Sequence, residues 1–223
     1  MRLNDDLNIR TAIHAARMEW TPSPAKGVDR RMLYRVGDEV ARATSLVRFA
    51  PNSRFPLHPH GGGEEILVLE GVFSDETGDY GAGSYLRNPP GTAHAPSSEP
   101  GCVLFVKLWQ FNADDDASII RRPGETALAP EAGRTASVIL FESPSERVQI
   151  QSWPPHADIA PPNREGLELL VLSGSFKQGG ETFNPLSWLR LPPGQPLRAR
   201  SGPAGVRLWT KSGPLMQPRV CAL

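Results

Sequence analysis

The stretch HPHGGGEEILVLEG, residues 58–71, holds two histidines one residue apart, three glycines, two glutamates and an apolar run. The run ILVLEG, which ends in glycine, is typical of a β-strand followed by a turn. Side chains at positions i and i+2 of a strand point to the same face, so His58 and His60 are expected to point together. Glycines 61–63 can adopt backbone conformations closed to other residues, which lets the chain turn and bring a glutamate back toward the histidines.

A third histidine follows in GSYLRNPPGTAHAP, residues 83–96, where a Pro-Pro-Gly turn leads His94 into the next strand. Three imidazoles and one carboxylate form a ligand set suited to a divalent metal, with coordination positions left for water or a small molecule. We therefore predict one divalent metal per chain, zinc in the first place, with iron, manganese or nickel as alternatives. The predicted ligands are His58, His60, Glu64 and His94.

An internal repeat predicts how the chain is organised. EEILVLEGVF (64–73) matches LELLVLSGSF (167–176), and SYLRNPPG (84–91) matches SWLRLPPG (187–194), both at an offset of 103 residues. A two-copy repeat of this length indicates a domain duplication, because the units of a solenoid are only about 20–50 residues long. We predict two domains, residues 1–118 and residues 119–223, joined within the polar segment 112–125.

The repeat also bears on the ligand assignment, because the second copy has lost every predicted ligand. Glu65 is retained as Glu168, which favours a structural role for Glu65 and leaves it only as the alternative ligand. Strand alternation agrees, since Glu64 shares its face with Ile66 and Val68. We predict that the second domain is a degenerate copy without a metal. Its residues at the four ligand positions are Pro161, Asn163, Leu167 and Leu197.

The composition limits the class of protein. Lys+Arg and Asp+Glu are equal at 24 each and the basic residues are scattered, which argues against direct binding to nucleic acid or to a membrane surface. The 21 glycines and 23 prolines favour many short strands, so we predict an all-β fold. With no apolar signal-peptide segment, no membrane-length apolar stretch and only two cysteines, Cys102 and Cys221, we expect a soluble cytoplasmic protein.

The spacing of the motif residues resembles that of the cupins, and the segments around the motifs are similar to the ChrR-type cupins. The first motif has one, three and six residues between its members, and the second has five, one and two. The resemblance implies two tandem cupin barrels, each a double-stranded β-helix or jelly roll, with the metal inside the first. The motif residues are His58, His60, Glu64 and Gly71, then Gly83, Pro89, Gly91 and His94.

The resemblance leaves two functions open. ChrR-type cupins are linked to anti-sigma factors, which implies a regulatory or stress-sensing role for a metal site that responds to a small molecule or oxidant. The zinc-binding module that grips the sigma factor would require a His-xxx-Cys-xx-Cys segment, and none precedes the cupin in this sequence, so sigma-factor binding is not expected. The alternative is a mononuclear iron dioxygenase that cleaves a small diketone or hydroxyketone. Such enzymes are associated with three-histidine sites without a glutamate, so Glu64 favours the regulatory function.

For several other residues we prefer a structural or surface role to a functional one. His14 and His156 are expected to be structural or on the surface, Cys102 a small buried residue rather than an oxidant sensor, and the arginines of the second copy solvated. The strands EEILVLEG and LELLVLSG are apolar on both faces, so each face needs a cover. We predict that they pack against the other barrel or a second chain, as in a homodimer, through Leu67, Leu69, Leu170 and Leu172. The arginines in question are Arg164, Arg190, Arg198 and Arg200.

Overall fold

The computed structural model describes residues 1–128 and 133–223, and most of their regular structure is β-strand. A 3-10 turn spans Ala15–Arg17 and a short helix, α1, spans Pro123–Thr126. In chain order the strands are β1 (Arg2–Leu3), β2 (Thr11–His14), β3 (Thr21–Pro22), β4 (Val28–Gly37), β5 (Ala41–Phe49), β6 (Ser53–Arg54), β7 (His58–Pro59), β8 (Glu64–Asp75), β9 (Gly78–Gly81), β10 (Tyr85–Asn88), β11 (Ala93–His94), β12 (Ser97–Ser98), β13 (Cys102–Leu108), β14 (Ile119–Arg121), β15 (Ala136–Glu142), β16 (Arg147–Trp153), β17 (Asp158–Ile159), β18 (Leu167–Gln178), β19 (Glu181–Phe183), β20 (Ser187–Leu191) and β21 (Ala199–Ser212).

The chain divides into two compact units. Unit 1 contains residues 1–5, 19–125 and 216–223, and unit 2 contains residues 6–18 and 126–215. The main sheet of unit 1 has the strand order β1-β4-β5-β13-β8-β10-β14, and that of unit 2 has the order β15-β16-β21-β18-β20-β2. The predicted all-β fold of two tandem cupin barrels is confirmed.

The two sheets repeat the same strand order, except that β1 at one edge of unit 1 has no counterpart in unit 2 and that the strands at the other edge come from different parts of the chain. In unit 1 the strand beside β10 is β14, which comes after the metal motifs in the chain, whereas in unit 2 the strand beside β20 is β2, from the start of the chain. Arg190 donates a hydrogen bond to Thr11 Oγ1 at 3.1 Å, which helps to hold β2 there. The units therefore differ from the predicted ranges 1–118 and 119–223: residues 6–18 lie in unit 2, and residues 119–125 and 216–223 lie in unit 1.

Strand alternation in β8 builds the interior of unit 1. Ile66 and Val68 belong to the apolar core of this unit, together with residues of β9, β10 and β13. Glu64 stands two residues before Ile66, so its side chain points to the same face, into the barrel. The corresponding core of unit 2 is built on Leu167, Leu169 and Val171 of β18.

The four leucines that were predicted to be covered are shielded from solvent to different degrees. Leu67 and Leu170 are buried, with 3% and 0% exposure, and Leu69 and Leu172 are partly buried. These values agree with strands that are apolar on both faces, while the homodimer stays a prediction. Within residues 1–128 and 133–223, no helix has the length and apolarity needed to span a membrane.

Candidate metal centre

Strands β7, β8 and β11 bring the predicted ligands of unit 1 together. Strands β7 and β11 pair in antiparallel register, which places His94 directly opposite His58. His60 follows β7, and Glu64 is the first residue of β8. The imidazole ring centroids lie 4.5 Å apart for His60 and His94, 4.9 Å for His58 and His94, and 5.2 Å for His58 and His60. Residues separated by 36 positions in sequence therefore share one cluster.

The donor atoms of the cluster lie close together, and two pairs of them have the separation of neighbouring ligands on one metal ion. One donor atom from each of the four residues lies within 4.8 Å of the others. Glu64 Oε2 is 3.2 Å from both His60 Nε2 and His94 Nε2. Ligands held about 2.1 Å from a common ion lie roughly 3.0–3.4 Å apart when they are neighbours in octahedral or tetrahedral geometry. The four residues therefore fit a divalent metal.

In each imidazole the outer nitrogen, Nδ1, points away from the cluster and faces an oxygen that accepts a hydrogen bond from it. His58 Nδ1 lies 3.0 Å from the carbonyl oxygen of Pro56, and His94 Nδ1 lies 3.4 Å from Asp75 Oδ2. His60 Nδ1 lies 2.8 Å from Thr92 Oγ1, whose own hydroxyl proton is donated to the carbonyl oxygen of Pro89. Because these oxygens act as acceptors, each ring carries its proton on Nδ1. The Nε2 lone pairs of all three histidines are thereby left for a metal.

Burial and charge act on this cluster in opposite directions. Burial alone would raise the pKa of Glu64, but His60 and His94 outweigh it and hold that pKa far below its usual range. Burial lowers the pKa of His58. Burial alone would also lower the pKa of His94, but the neighbouring carboxylates of Asp75 and Glu64 outweigh it and raise the pKa to about 9. Since a proton on His94 Nε2 competes with a metal, metal affinity falls as the pH falls below this value.

The three glycines leave room for aromatic rings beside the cluster. A Cβ on Gly62 would stand 2.4 Å from Trp109 Cδ2, and a Cβ on Gly63 would stand 2.4 Å from Phe111 Cγ. Gly63 also has a φ of +77°, a conformation that favours glycine. The glycines therefore serve two purposes, the turn that the sequence predicted and the close packing of two rings that it did not.

Substitution of Gly62 tests this packing. Gly62→Ala is expected to lower the free energy of unfolding by about 1–3 kcal/mol, because the indole of Trp109 must move out of its place. Chemical denaturation of the metal-free protein measures the change. Gly81→Ala is the matched control, since a Cβ there has no neighbour within 4 Å. Equal stability of the two variants would show that the packing is unimportant.

The two adjacent glutamates of β8 point to opposite faces. Glu65 is 3% exposed, pairs in register with both Arg87 and Lys107, and its Oε2 lies 4.0 Å from Arg87 Nη1. In unit 2, Glu168 pairs with Arg190 and Lys211 in the same way. Glu65 therefore has the structural contacts that its retention in the repeat predicted, and Glu64 belongs to the four-residue cluster.

In unit 2 the residues at the ligand positions have structural contacts instead. Leu167 and Leu197 are part of its apolar core. Asn163 donates hydrogen bonds to the carbonyl oxygens of Pro192 and Gln195 and accepts one from the backbone nitrogen of Gly166, each at 2.9 Å. Asn163 thus ties together the loops that the metal ligands would otherwise join.

Unit 2 also has no side chain at the position that corresponds to Trp109. Leu108 pairs with Glu64 and Ser212 pairs with Leu167, so Gly213 is the counterpart of Trp109. A cavity of about 340 Å³ opens beside Gly213. Its lining is mostly charged and hydroxyl-bearing residues with no histidine among them, so it does not repeat the three-imidazole donor set of unit 1. The side chains are those of residues 143–147, 162, 164–166, 212 and 213.

Most of the remaining interpretations agree with the structure, and one is wrong. His14 contacts Ser187 Oγ at 3.0 Å and Glu181 Oε1 at 2.9 Å, and His156 is exposed. Cys102 is 4% exposed and burial raises its pKa to about 11, which keeps the thiol protonated and unreactive. Arg190 was expected to be solvated, but it is only 2% exposed. The register that places Arg190 beside Glu168 was not predicted from sequence.

The exposures of the other three arginines agree with a surface position. Arg164, Arg198 and Arg200 are exposed, as expected.

Sequence reasoning missed the acceptors around the ligands. Asp75, Thr92 and Pro56 contact the outer nitrogens of the histidines, and Asn88 Nδ2 donates to Glu64 Oε2 at 3.2 Å. A signal was present in the repeat for the three side-chain contacts, because each of these residues is replaced at an offset of 103. The replacements are Gln178 for Asp75, Gln195 for Thr92 and Leu191 for Asn88.

Comparisons with known proteins agree with a cupin fold. Residues 8–112 match the ChrR cupin-like domain. A provisionally assigned dioxygenase from Nostoc punctiforme has 14% identity and a TM-score of 0.68, over 100% of this chain and 86% of that one. A provisionally assigned glyoxylate-induced protein from Pseudomonas aeruginosa has 15% identity and a TM-score of 0.72, over 96% of this chain and 92% of that one.

A third similar structure contains a metal. The pirin YhhW from Escherichia coli, in complex with nickel(II), has 12% identity and a TM-score of 0.66, over 93% of this chain and 100% of that one. At these identities the three structures show the shared fold. No curated protein matches the chain.

Proposed function

Because residues 8–112 match the ChrR cupin-like domain, we propose that the chain is a metal-binding regulatory cupin, which holds one divalent metal in unit 1 and responds to a small molecule that binds there. The observation that carries the proposal is the orientation of the three imidazoles. Each has its Nδ1 proton accepted by an outer group, so three Nε2 lone pairs and the Glu64 carboxylate are available to one ion. A cluster of this kind has no other evident purpose in a protein core, where polar groups are normally hydrogen-bonded.

The set of four protein ligands also suits an ion that keeps coordination positions open to a small molecule. Four protein ligands leave one or two positions open in a five- or six-coordinate ion, whereas a structural zinc is closed at four. His58 is the least buried of the four ligands, and the neighbouring Leu57 is 70% exposed. We infer that a small molecule enters from this side.

The chemistry of the metal separates regulation from catalysis. Zinc has no redox chemistry, whereas ferrous iron supplies electrons to oxygen. This chain's residues would act in the same way in either case, by holding three neutral imidazoles and one carboxylate in place and by excluding bulk water with an apolar interior. His60 Nε2 and His94 Nε2 are buried and make no hydrogen bond within the described residues, as expected of donors kept for a metal.

A dioxygenase is the second candidate. The apolar core that includes Ile66, Phe73 and Val106 lies on the face to which Glu64 points, and an apolar interior suits the exclusion of water from oxygen chemistry. The similar structure from Nostoc punctiforme is provisionally named a dioxygenase, which makes the test worthwhile.

Oxygen uptake distinguishes the two functions. We expect the zinc form and the ferrous form to show no sustained oxygen consumption with a small diketone, because the proposed role is ligand binding. An oxygen electrode measures this under air with metal-loaded protein. The variants His58→Ala, His60→Ala and His94→Ala serve as controls for uptake by free iron. Sustained uptake by the ferrous protein that is lost in these variants would replace the regulatory function with the dioxygenase.

A further inference from the structure

The hairpin between β8 and β9 contains a chain of hydrogen bonds that ends at His94. Asp75 Oδ1 accepts hydrogen bonds from Thr77 N at 2.8 Å and from Thr77 Oγ1 at 2.6 Å. Asp75 Oδ2 lies 3.4 Å from His94 Nδ1. Since the hydroxyl proton of Thr77 is given to Asp75, the Tyr80 hydroxyl donates to Thr77 Oγ1. The chain therefore runs from the buried Tyr80 through Thr77 and Asp75 to the imidazole.

A second contact fixes the same hairpin to the strand of His94. Glu76 Oε1 accepts a hydrogen bond from the backbone nitrogen of Ala95 at 2.8 Å. Phe73, on the same hairpin, packs its ring 5.8 Å from that of His94. The imidazole of His94 and the backbone of the next residue are thus both held by one hairpin.

The repeat provides an internal control for this arrangement. Unit 2 keeps the hairpin between β18 and β19, and Phe73 is retained as Phe176, but the polar members are all replaced. A turn of this sheet can therefore form without them. The replacements at an offset of 103 are Gln178 for Asp75, Gly179 for Glu76, Gly180 for Thr77 and Phe183 for Tyr80. The chain of hydrogen bonds is present where the ligands are present and absent where they are absent.

We propose that Asp75 is a positioning residue, which fixes the tautomer and orientation of His94 so that its Nε2 lone pair points at the metal. The inference rests on the proposed metal site and adds a residue that the cupin motifs do not contain. A carboxylate that accepts the outer proton of a metal-bound imidazole also makes that imidazole a stronger donor. Glu76 supports the same strand, and Thr77 and Tyr80 hold the carboxylate of Asp75.

The variant Asp75→Asn separates positioning from support of the turn. An asparagine side chain has one acceptor oxygen, and Thr77 presents two donors to it, so the oxygen is retained by the turn and the amide group faces His94. That amide donates a proton, which forces His94 to accept at Nδ1 and to carry its own proton on Nε2. The turn is thus preserved while the donor atom of His94 is lost.

The test compares the affinity for Co²⁺ and Zn²⁺ of the whole protein and two variants by competition with a chromophoric chelator. Asp75→Asn is expected to raise the Kd roughly 10- to 100-fold. Asp79→Asn, in the same hairpin with an exposed side chain, is expected to leave it unchanged. The thermal midpoint of the metal-free proteins reports any loss of the turn. A Kd for Asp75→Asn within twofold of the unsubstituted protein would overturn the inference.

Two further results keep the inference testable. If Asp75→Asn does not fold, nitrogen-15 NMR of the zinc-loaded, unsubstituted protein decides, because the inference requires a protonated Nδ1 on His94 and metal on Nε2. Metal on Nδ1 would overturn it. If the unsubstituted protein binds neither ion, the proposed function itself is wrong, whereas tight binding that is indifferent to Asp75 removes only the positioning role.

Discussion

Replacement of His60 by alanine is expected to weaken metal binding by more than about 100-fold, because loss of an outer hydrogen-bond partner alone costs 10- to 100-fold and loss of a ligand costs more. His60 is 4% exposed, and its Nε2 stands 3.2 Å from Glu64 Oε2. No other imidazole or carboxylate joins this cluster among the described residues, so none substitutes for His60. Competition with a chelator of known affinity measures the loss.

Asn163 supplies the matched control, since it occupies the position of His60 in the repeat. Asn163→Ala is expected to leave metal affinity unchanged and to reduce the free energy of unfolding by about 2–4 kcal/mol, because three hydrogen bonds of a 9% exposed side chain are lost. The two variants thus change different properties. Full metal occupancy in His60→Ala, or metal loss in Asn163→Ala, would contradict the assignment of the site to unit 1.

Removal of the metal is the second change with a large expected effect. A ligand that binds only the folded protein stabilises it by about 4 kcal/mol when its free concentration is a thousand times the Kd. Without an ion, the Glu64 carboxylate, at 6% exposure, keeps only the Asn88 amide and two imidazoles as polar neighbours. A strong chelator is therefore expected to lower the unfolding free energy of the transition that includes unit 1 by about this amount.

The control for chelation is the His60→Ala protein. Its denaturation curve is expected to be the same with and without chelator, because it has no metal to lose. Denaturant titration followed by circular dichroism gives both curves. An equal loss in the two proteins would mean that the chelator acts elsewhere, and no loss in either would mean that the cluster is not a metal site that stabilises the fold.

The ligand cluster could be predicted from sequence because its geometry is largely local. His58 lies on β7 and His60 directly follows that strand, and the Pro-Pro-Gly turn places His94 opposite His58. The choice between Glu64 and Glu65 followed from strand alternation and from the retention of Glu65 in the repeat. The argument from strand alternation depends on the two-residue period of side chains, which holds wherever a strand has one face in a core.

The contacts that were missed depend on long-range register. Asp75 lies 19 residues before His94 and meets it because the end of β8 pairs with β12, with Ser74 opposite Ser97. Arg190 is buried and lies opposite Glu168, and the register between β18 and β20 that places them together was not predicted from the sequence. Strand β2 carries no strong alternation, so its place beside β20 was not foreseen, and the boundary between the units was drawn differently.

The ratio of metal to protein chain tests the central claim most directly. The protein is purified without added metal, then loaded with zinc, desalted and measured by inductively coupled plasma mass spectrometry against a quantitative amino-acid analysis. The account predicts one ion per chain after loading, and close to none for His60→Ala treated in parallel. Two ions per chain, or no ion in the loaded protein, would contradict a single metal centre built from His58, His60, Glu64 and His94.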